Sequence, residues 1–358
     1  MRQQGAYFPF DTIATISAKS LGNSAVRTLS ESHQTDDLNR KNYLMTKHTK
    51  GWTAADIPSQ TGRRALVTGA NSGIGFHTAL ELARHGAEVI IPARTEAKAN
   101  DAAKRILREV PSAKLLPEIL DLADLASIHA LAKRLIARFP GASLDLLINN
   151  AGVMALPTRE VTCDGFERQF GTNYLGPFAL TALLFSSIKP LPGSRIITVA
   201  SAASNQGKIT FDNLQSECAY TPMGTYAQSK LADLMFTLEL QHRLTRAKSP
   251  IISAASHPGY TITNLQGDHL SFGLKLIGAI MKPLAQNAAQ GALPTLYAAT
   301  KATVLPGGYY GPNGIIEIRG TPAPAKIPTQ AQDSAVACQL WEVSERLTAV
   351  AFPDLTAR

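Results

Sequence analysis

Tyr226 and Lys230 stand four residues apart in the stretch TYAQSK, residues 225–230. On a helix that spacing stacks both side chains on one face. An ammonium beside a phenol favours loss of the phenolic proton, which is what a general acid/base requires. A free phenol titrates near pH 10, so exchange near neutrality needs on the order of 4 kcal/mol of differential stabilisation. The same two residues also make an ordinary surface pair, worth about 0.2–0.5 kcal/mol. What else the chain carries decides between the two.

A second candidate site lies upstream. TGANSGIG (68–75) joins the apolar run ALVT (65–68) to the helical pattern IGFHTALELARHG (74–86). Gly69, Gly73 and Gly75, with Asn71, Ser72 and Ile74 between them, make a turn that suits a pyrophosphate. Missing Cβ atoms allow close backbone approach, and the free N–H groups and dipole of a helix start favour negative charge. The spacing is G-x-x-x-G-x-G rather than the standard dinucleotide fingerprint. An acidic residue roughly 20 positions after such a turn would bind the ribose 2′-hydroxyl of NAD. Here IPARTEAK places Arg94 at that point, after Ala93. An arginine there favours a 2′-phosphate, so NADP(H) is the expected cofactor and NAD(H) the alternative. Asp121 and Leu122, in ILDLADL, end the third strand. Asp121 either touches the adenine edge or caps the next helix.

These residues need a frame. Strands are expected at 65–68, 88–91, 114–120, 144–148, 195–200 and 251–256, with helices at 74–86, up to about 108, 125–139, 165–188 and 224–246. Strands alternating with helices predict an α/β fold, a single Rossmann-like doubly wound parallel sheet flanked by helices on both faces. Residues 1–44 are rich in Ser, Thr, Asn and Gln and lack periodicity. They read as a disordered tail or an over-long start before Met45, with the folded domain at 45–350 and a C-terminal tail at 351–358.

The 358 residues are 45% hydrophobic and 17% charged, with a net charge of +8 and no long Lys/Arg block, so nucleic-acid binding is not indicated. Cys163, Cys218 and Cys338 lie far apart, so neither a disulfide framework nor a metal site is expected. No apolar run reaches about 18 residues, so no transmembrane helix is expected. The reading is a cytoplasmic protein.

TGANSGIG, NNAG (149–152) and YAQSK (226–230), in that order, resemble the short-chain dehydrogenase/reductase family. TNYLGPF (172–178), RIITVAS (195–201) and HPGYTIT (257–263) are similar to further landmarks, and the likeness runs from about Trp52 to Leu347. GALPTLYAAT (291–300) and GGYYGP (307–312) resemble the retinol dehydrogenase-like group and related bacterial oxidoreductases. The resemblance implies that Tyr226 is the general acid/base, that Lys230 supplies charge and binds the nicotinamide ribose, that Ser201 holds the substrate oxygen, and that Asn173 supports a water relay. It adds Asn150, Ala151 and Gly152 to the cofactor site, with Pro258, Gly259 and Thr261 beside the nicotinamide. Homo-oligomers are common in the family.

The implied reaction interconverts a carbonyl and an alcohol by hydride transfer, on a small-molecule carbonyl or alcohol substrate. Two departures stand out. Ser201 and Tyr226 are 25 residues apart, farther than in many members, with the intervening GKITFDNLQSECAYTPM (207–223) similar to an insertion of the retinol dehydrogenase-like group. Ala200 occupies the position of a common serine, and Ser204 is a fallback for Ser201. The apolar segment 270–286 is either a lid for a lipophilic substrate, a core helix, or a membrane-surface contact. The competing functions are a non-catalytic nucleotide-sensing protein on the same fold and an epimerase or dehydratase.

Overall fold

Short apolar runs form the central strands because they are buried on both faces of the sheet. In the computed structural model, which describes residues 51–261 and 285–353, eight strands form one sheet. They are β1 (Arg64–Val67), β2 (Glu88–Ala93), β3 (Lys114–Ile119), β4 (Leu146–Asn149), β5 (Arg195–Val199), β6 (Ile252–Ser256), β7 (Tyr309–Pro312) and β8 (Pro322–Pro324). Their order is β3-β2-β1-β4-β5-β6-β7-β8, parallel throughout except for the antiparallel β7–β8 pair. This is the doubly wound architecture expected, lengthened by the β7–β8 hairpin. The order reverses between β1 and β4, which opens a crevice at the carboxyl ends of these strands.

The helices are α1 (Gly73–Arg84), α2 (Glu96–Glu109), α3 (Leu125–Arg138), α4 (Gly176–Leu184), α5 (Pro222–Arg246), α6 (Ala288–Thr300) and α7 (Ser334–Thr348). Alternation along each strand divides the interior into two cores. Ala65 and Val67 of β1 join α1 and α6 on one face, whereas Leu66 joins α3, α4 and α5 on the other. Leu146 and Ile148 of β4 likewise face opposite to Leu147. On the second face, α7 brings Trp341 against Phe178, Phe236 and Phe352, with ring centroids 5.2, 5.8 and 4.4 Å away. Each such pair adds about 0.5–1.5 kcal/mol beyond its buried area. On the first face, the buried Arg195 guanidinium donates to the carbonyls of Ala298 (2.7 Å) and Lys301 (2.6 Å) and so caps the end of α6.

Two local features differ from the periodicity. β2 runs two residues further than expected, through Pro92. Its pairing with β1 stops at Ile90, so the missing proline N–H forfeits no ladder bond on that side. The helix expected near 165–188 runs from Arg168 with changing geometry: an α turn at Arg168–Phe170, a π-helical turn at Gly171–Leu175, α4, and a 3-10 turn at Phe185–Ser187, with helical backbone angles at each junction. A π turn inserts an extra residue, and this one carries Asn173. The tail 1–44, the start at Met45, residues 354–358 and all of the 270–286 segment except Ala285 and Gln286 lie outside the described residues. No helix among the described residues is long and apolar enough to cross a membrane.

Candidate active site

The β1–α1 turn and the β4 end are tied together through Thr68. Thr68 is fully buried, and its Oγ1 accepts from the N–H groups of Asn150 (2.9 Å) and Ala151 (3.0 Å). The Asn150 side-chain amide donates back to the Thr68 carbonyl at 2.8 Å. Gly69 takes φ +69, which a side chain would strain. A Cβ on Gly75 would collide with the Asn150 amide and the Gly69 carbonyl. Arg105 donates to the Asn71 carbonyl at 3.1 Å and lies over the Phe76 ring at 4.1 Å, which holds the outer edge of the turn. The first backbone bond into α1 runs from Phe76 N–H to Ser72 O, so the N–H groups of Gly73, Ile74 and Gly75 have no partner inside the helix.

These residues border a cleft of about 620 Å³. Gly69, Asn71, Ser72, Gly73, Ile74, Gly75, Arg94, Asp121, Leu122, Asn150, Ala151, Gly152, Tyr226, Lys230 and Pro258 all line it. Asn173, Ser201, Gly259 and Thr261 do not. The bare glycine cradle and the unbonded helix start fit a pyrophosphate, and Arg94 fits a further phosphate. Arg94 follows β2, is exposed, and is joined in the cleft wall by Lys98, in the first turn of α2. Neither cation has an ion-pair partner among the described residues. Lys98 was not anticipated from the sequence, although its spacing from Arg94 on a helix start was legible. Asp121 accepts from Ala123 N–H (2.9 Å), while the cap of α3 is Asp124, which accepts from Ala126 and Ser127 N–H groups.

Helix α5 carries the Tyr–Lys pair. Pro222 starts it, where a missing N–H is harmless. Tyr226 is 9% exposed, lines the cleft, and its hydroxyl makes no hydrogen bond to the described residues, so it is open to a ligand. Lys230 is buried, and its Nζ donates to Val199 O and to Asp233 Oδ2, both at 2.8 Å. Burial works against its charge, but Asp233 and Tyr226 outweigh that and raise its pKa above the ordinary lysine value. Burial pushes the Asp233 carboxyl up to about 6, with the Lys230 ammonium opposing. Asp233 was not singled out from the sequence; its signal was the i,i+3 spacing from Lys230.

The other expected residues flank this pair. The Asn173 amide is committed: Oδ1 accepts from Val153 N–H (2.7 Å), and Nδ2 donates to Val153 O and Ser229 Oγ (both 2.9 Å). It clamps the segment after Gly152 against α5. Ser201 Oγ accepts from Ala203 N–H at 3.2 Å, its own proton has no acceptor among the described residues, and its neighbours Val199 and Ala200 line the cleft. Ser204 is fully buried and donates to the Ser201 carbonyl at 2.7 Å. Thr261 donates to the Pro258 carbonyl at 2.8 Å, so its hydroxyl shapes the Pro258 loop. His257, also unanticipated, anchors that loop: Nε2 lies 3.0 Å from Glu317 Oε2, and Gly259 N–H donates to Nδ1 at 3.3 Å. The hydrogen bond with His257 lowers the Glu317 pKa. Beyond Gly152 the cleft runs along Met154, Ala155 and Leu156 to an Arg168–Glu160 ion pair at 3.6 Å. One metal-type cluster occurs among the described residues, Asp124, Cys163 and Asp164; there Asp124 and Asp164 accept N–H groups at the start of α3.

A family model described as short chain dehydrogenase matches residues 63–271. Retinol dehydrogenase 14 of Homo sapiens is 37% identical over 302 residues, which cover 79% of this chain and 85% of the relative. Polyprenol dehydrogenase of Danio rerio is 37% identical over 270 residues, covering 74% and 82%. The crystal structure of an uncharacterized protein from Mycobacterium Paratuberculosis is 39% identical, matches with a TM-score of 0.70, and covers 85% of this chain and 100% of that one.

Proposed function

The chain belongs to the short chain dehydrogenase family, and from that membership we propose that it is an NADP(H)-dependent oxidoreductase interconverting an aldehyde or ketone with an alcohol, Tyr226 acting as general acid/base. The observation that carries this reading is the unbonded Tyr226 hydroxyl in the cleft wall, on the same helix face as a buried, charged lysine. The cofactor, when bound, supplies or accepts the hydride; the protein handles the rest.

Gly69, Gly73 and Gly75 admit the pyrophosphate to the start of α1, with Asn71, Ser72 and Ile74 completing the turn. Asn150, Ala151 and Gly152 form the opposite wall, held in place by Thr68. Tyr226 gives its proton to the substrate oxygen during reduction and takes it back during oxidation. The Lys230 ammonium stabilises the negative charge that develops on the phenol oxygen. Ser201 donates its own proton to the same substrate oxygen. Asn173 acts through the peptide of Val153 and through Ser229, both of which its amide fixes. The apolar wall from Met154 to Leu156 favours a lipophilic substrate, in keeping with relatives named for retinol and polyprenol.

Arg94 and Lys98 carry the cofactor preference. Removing both in Arg94→Ala/Lys98→Ala is expected to weaken NADPH binding by roughly 10- to 100-fold, since hydrogen bonds to charged groups contribute about 1.5–3 kcal/mol. NADH binding should hardly change, and titration of nicotinamide fluorescence reads both. Equal losses for the two cofactors would place the 2′-phosphate elsewhere. For the activity itself, NADPH consumption with a panel of aldehydes and ketones should be clear for lipophilic members. Tight NADPH binding without turnover of any member would instead favour a nucleotide-sensing protein.

A further inference from the structure

Lys230 does not stand alone in the protein interior. Its ammonium has three donors. One goes to Val199 O and one to Asp233 Oδ2, both at 2.8 Å, which leaves a single N–H for the cleft that Lys230 lines. Asp233 lies one turn beyond Lys230 on α5 and is 1% exposed. Its second oxygen, Oδ1, is buried with no hydrogen-bond partner among the described residues. A buried carboxylate costs several kcal/mol to desolvate. An amide of the same shape would accept the same bond from Lys230 without burying a charge. What the carboxylate adds is its negative charge.

We propose that Asp233 is a positioning residue that keeps Lys230 protonated and aims its one free N–H at the cleft. The proposal rests on the reading of Tyr226 and Lys230 as the proton-handling pair. A lysine this deeply buried would otherwise shed its proton readily, because desolvation disfavours the charged form. Against that desolvation stand the charge and hydrogen bond of Asp233, with Tyr226 adding to them, and the Lys230 pKa is raised above the ordinary lysine value. Among the described residues, the other titratable groups facing the pair are phenols. Tyr226 acts on Lys230 from the same helix, Tyr174 in the π-helical turn and Tyr309 on β7 face Asp233, and Glu317 acts on Tyr309. Burial raises the pKa of Tyr174 and of Tyr309 far above that of an ordinary phenol, so both stay neutral across the working pH range.

The test is a pH titration of the full chain with lysine Cε labelled with carbon-13, Lys230 being assigned by loss of its signal in Lys230→Met. In Asp233→Asn the Lys230 midpoint is expected to fall by at least about one pH unit relative to wild type. In step with it, the alkaline limb of kcat/KM should move to lower pH. An unchanged midpoint in Asp233→Asn would overturn the proposal. If Asp233→Asn does not fold, Asp233→Ser, which keeps a hydrogen-bond acceptor without the charge, gives the same comparison. The midpoint is read without substrate, so a fallen midpoint in a protein that turns over no carbonyl would support the role of Asp233 while refuting the oxidoreductase reading.

Discussion

Tyr226→Phe is expected to lower kcat with any carbonyl substrate by roughly 10²- to 10⁴-fold, the usual contribution of a positioned general acid. The change removes one oxygen atom and little else. That oxygen makes no hydrogen bond to the described residues, so its loss strands no buried partner and should leave the unfolding midpoint unchanged. The ring remains in the cleft wall, so NADPH affinity should be nearly intact. Turnover therefore separates from both binding and stability, which is the signature of a group needed in the transition state alone. Substantial residual kcat in this variant would refute the assigned role.

Lys230→Met should fail differently. It removes the charge beside the phenol, so kcat should again fall by orders of magnitude. It also leaves Asp233 buried with neither oxygen paired to a cation. Breaking a buried pair on one side typically costs about 3–5 kcal/mol, less whatever the carboxyl recovers by taking up a proton. Removing both partners in Lys230→Met/Asp233→Leu should return much of that stability, because an apolar pair of similar volume is often neutral or stabilising. Activity should not return with it. Urea midpoints and turnover, measured on the two variants in parallel, check this. Stability loss that persists in the double variant would mean that Lys230 supports the fold through contacts other than Asp233.

The contrast between these two residues shows what a sequence carries and what it does not. The i,i+4 spacing of Tyr226 and Lys230 is a property of any helix, so their shared face was legible at once. The same helix places Asp233 beside Lys230, but whether an i,i+3 acid pairs with a lysine or faces water depends on burial, which packing against β5 decides. The first six strands were legible because apolar runs between helical patterns have few other uses. β7 and β8 were not: Tyr309–Pro312 and Pro322–Pro324 are short and carry three prolines between them, and a proline in a run argues against reading it as a strand. The π turn before α4 escaped detection because it keeps helical backbone angles and changes only the hydrogen-bond register, which residue types do not announce. The glycine turn was legible in full, but Thr68, the hydroxyl that fastens it to Asn150 and Ala151, was hidden as one more strand residue.

Isotope transfer tests the chemistry most directly. NADPH carrying deuterium on the transferring face of nicotinamide C4 would be incubated with the protein and a lipophilic aldehyde, and the alcohol examined by mass spectrometry and NMR. Direct hydride transfer predicts one deuterium on the carbinol carbon of each product molecule, with the hydroxyl proton coming from solvent. An alcohol whose carbinol carbon carries hydrogen from water, formed while the deuterated cofactor is consumed, would contradict it.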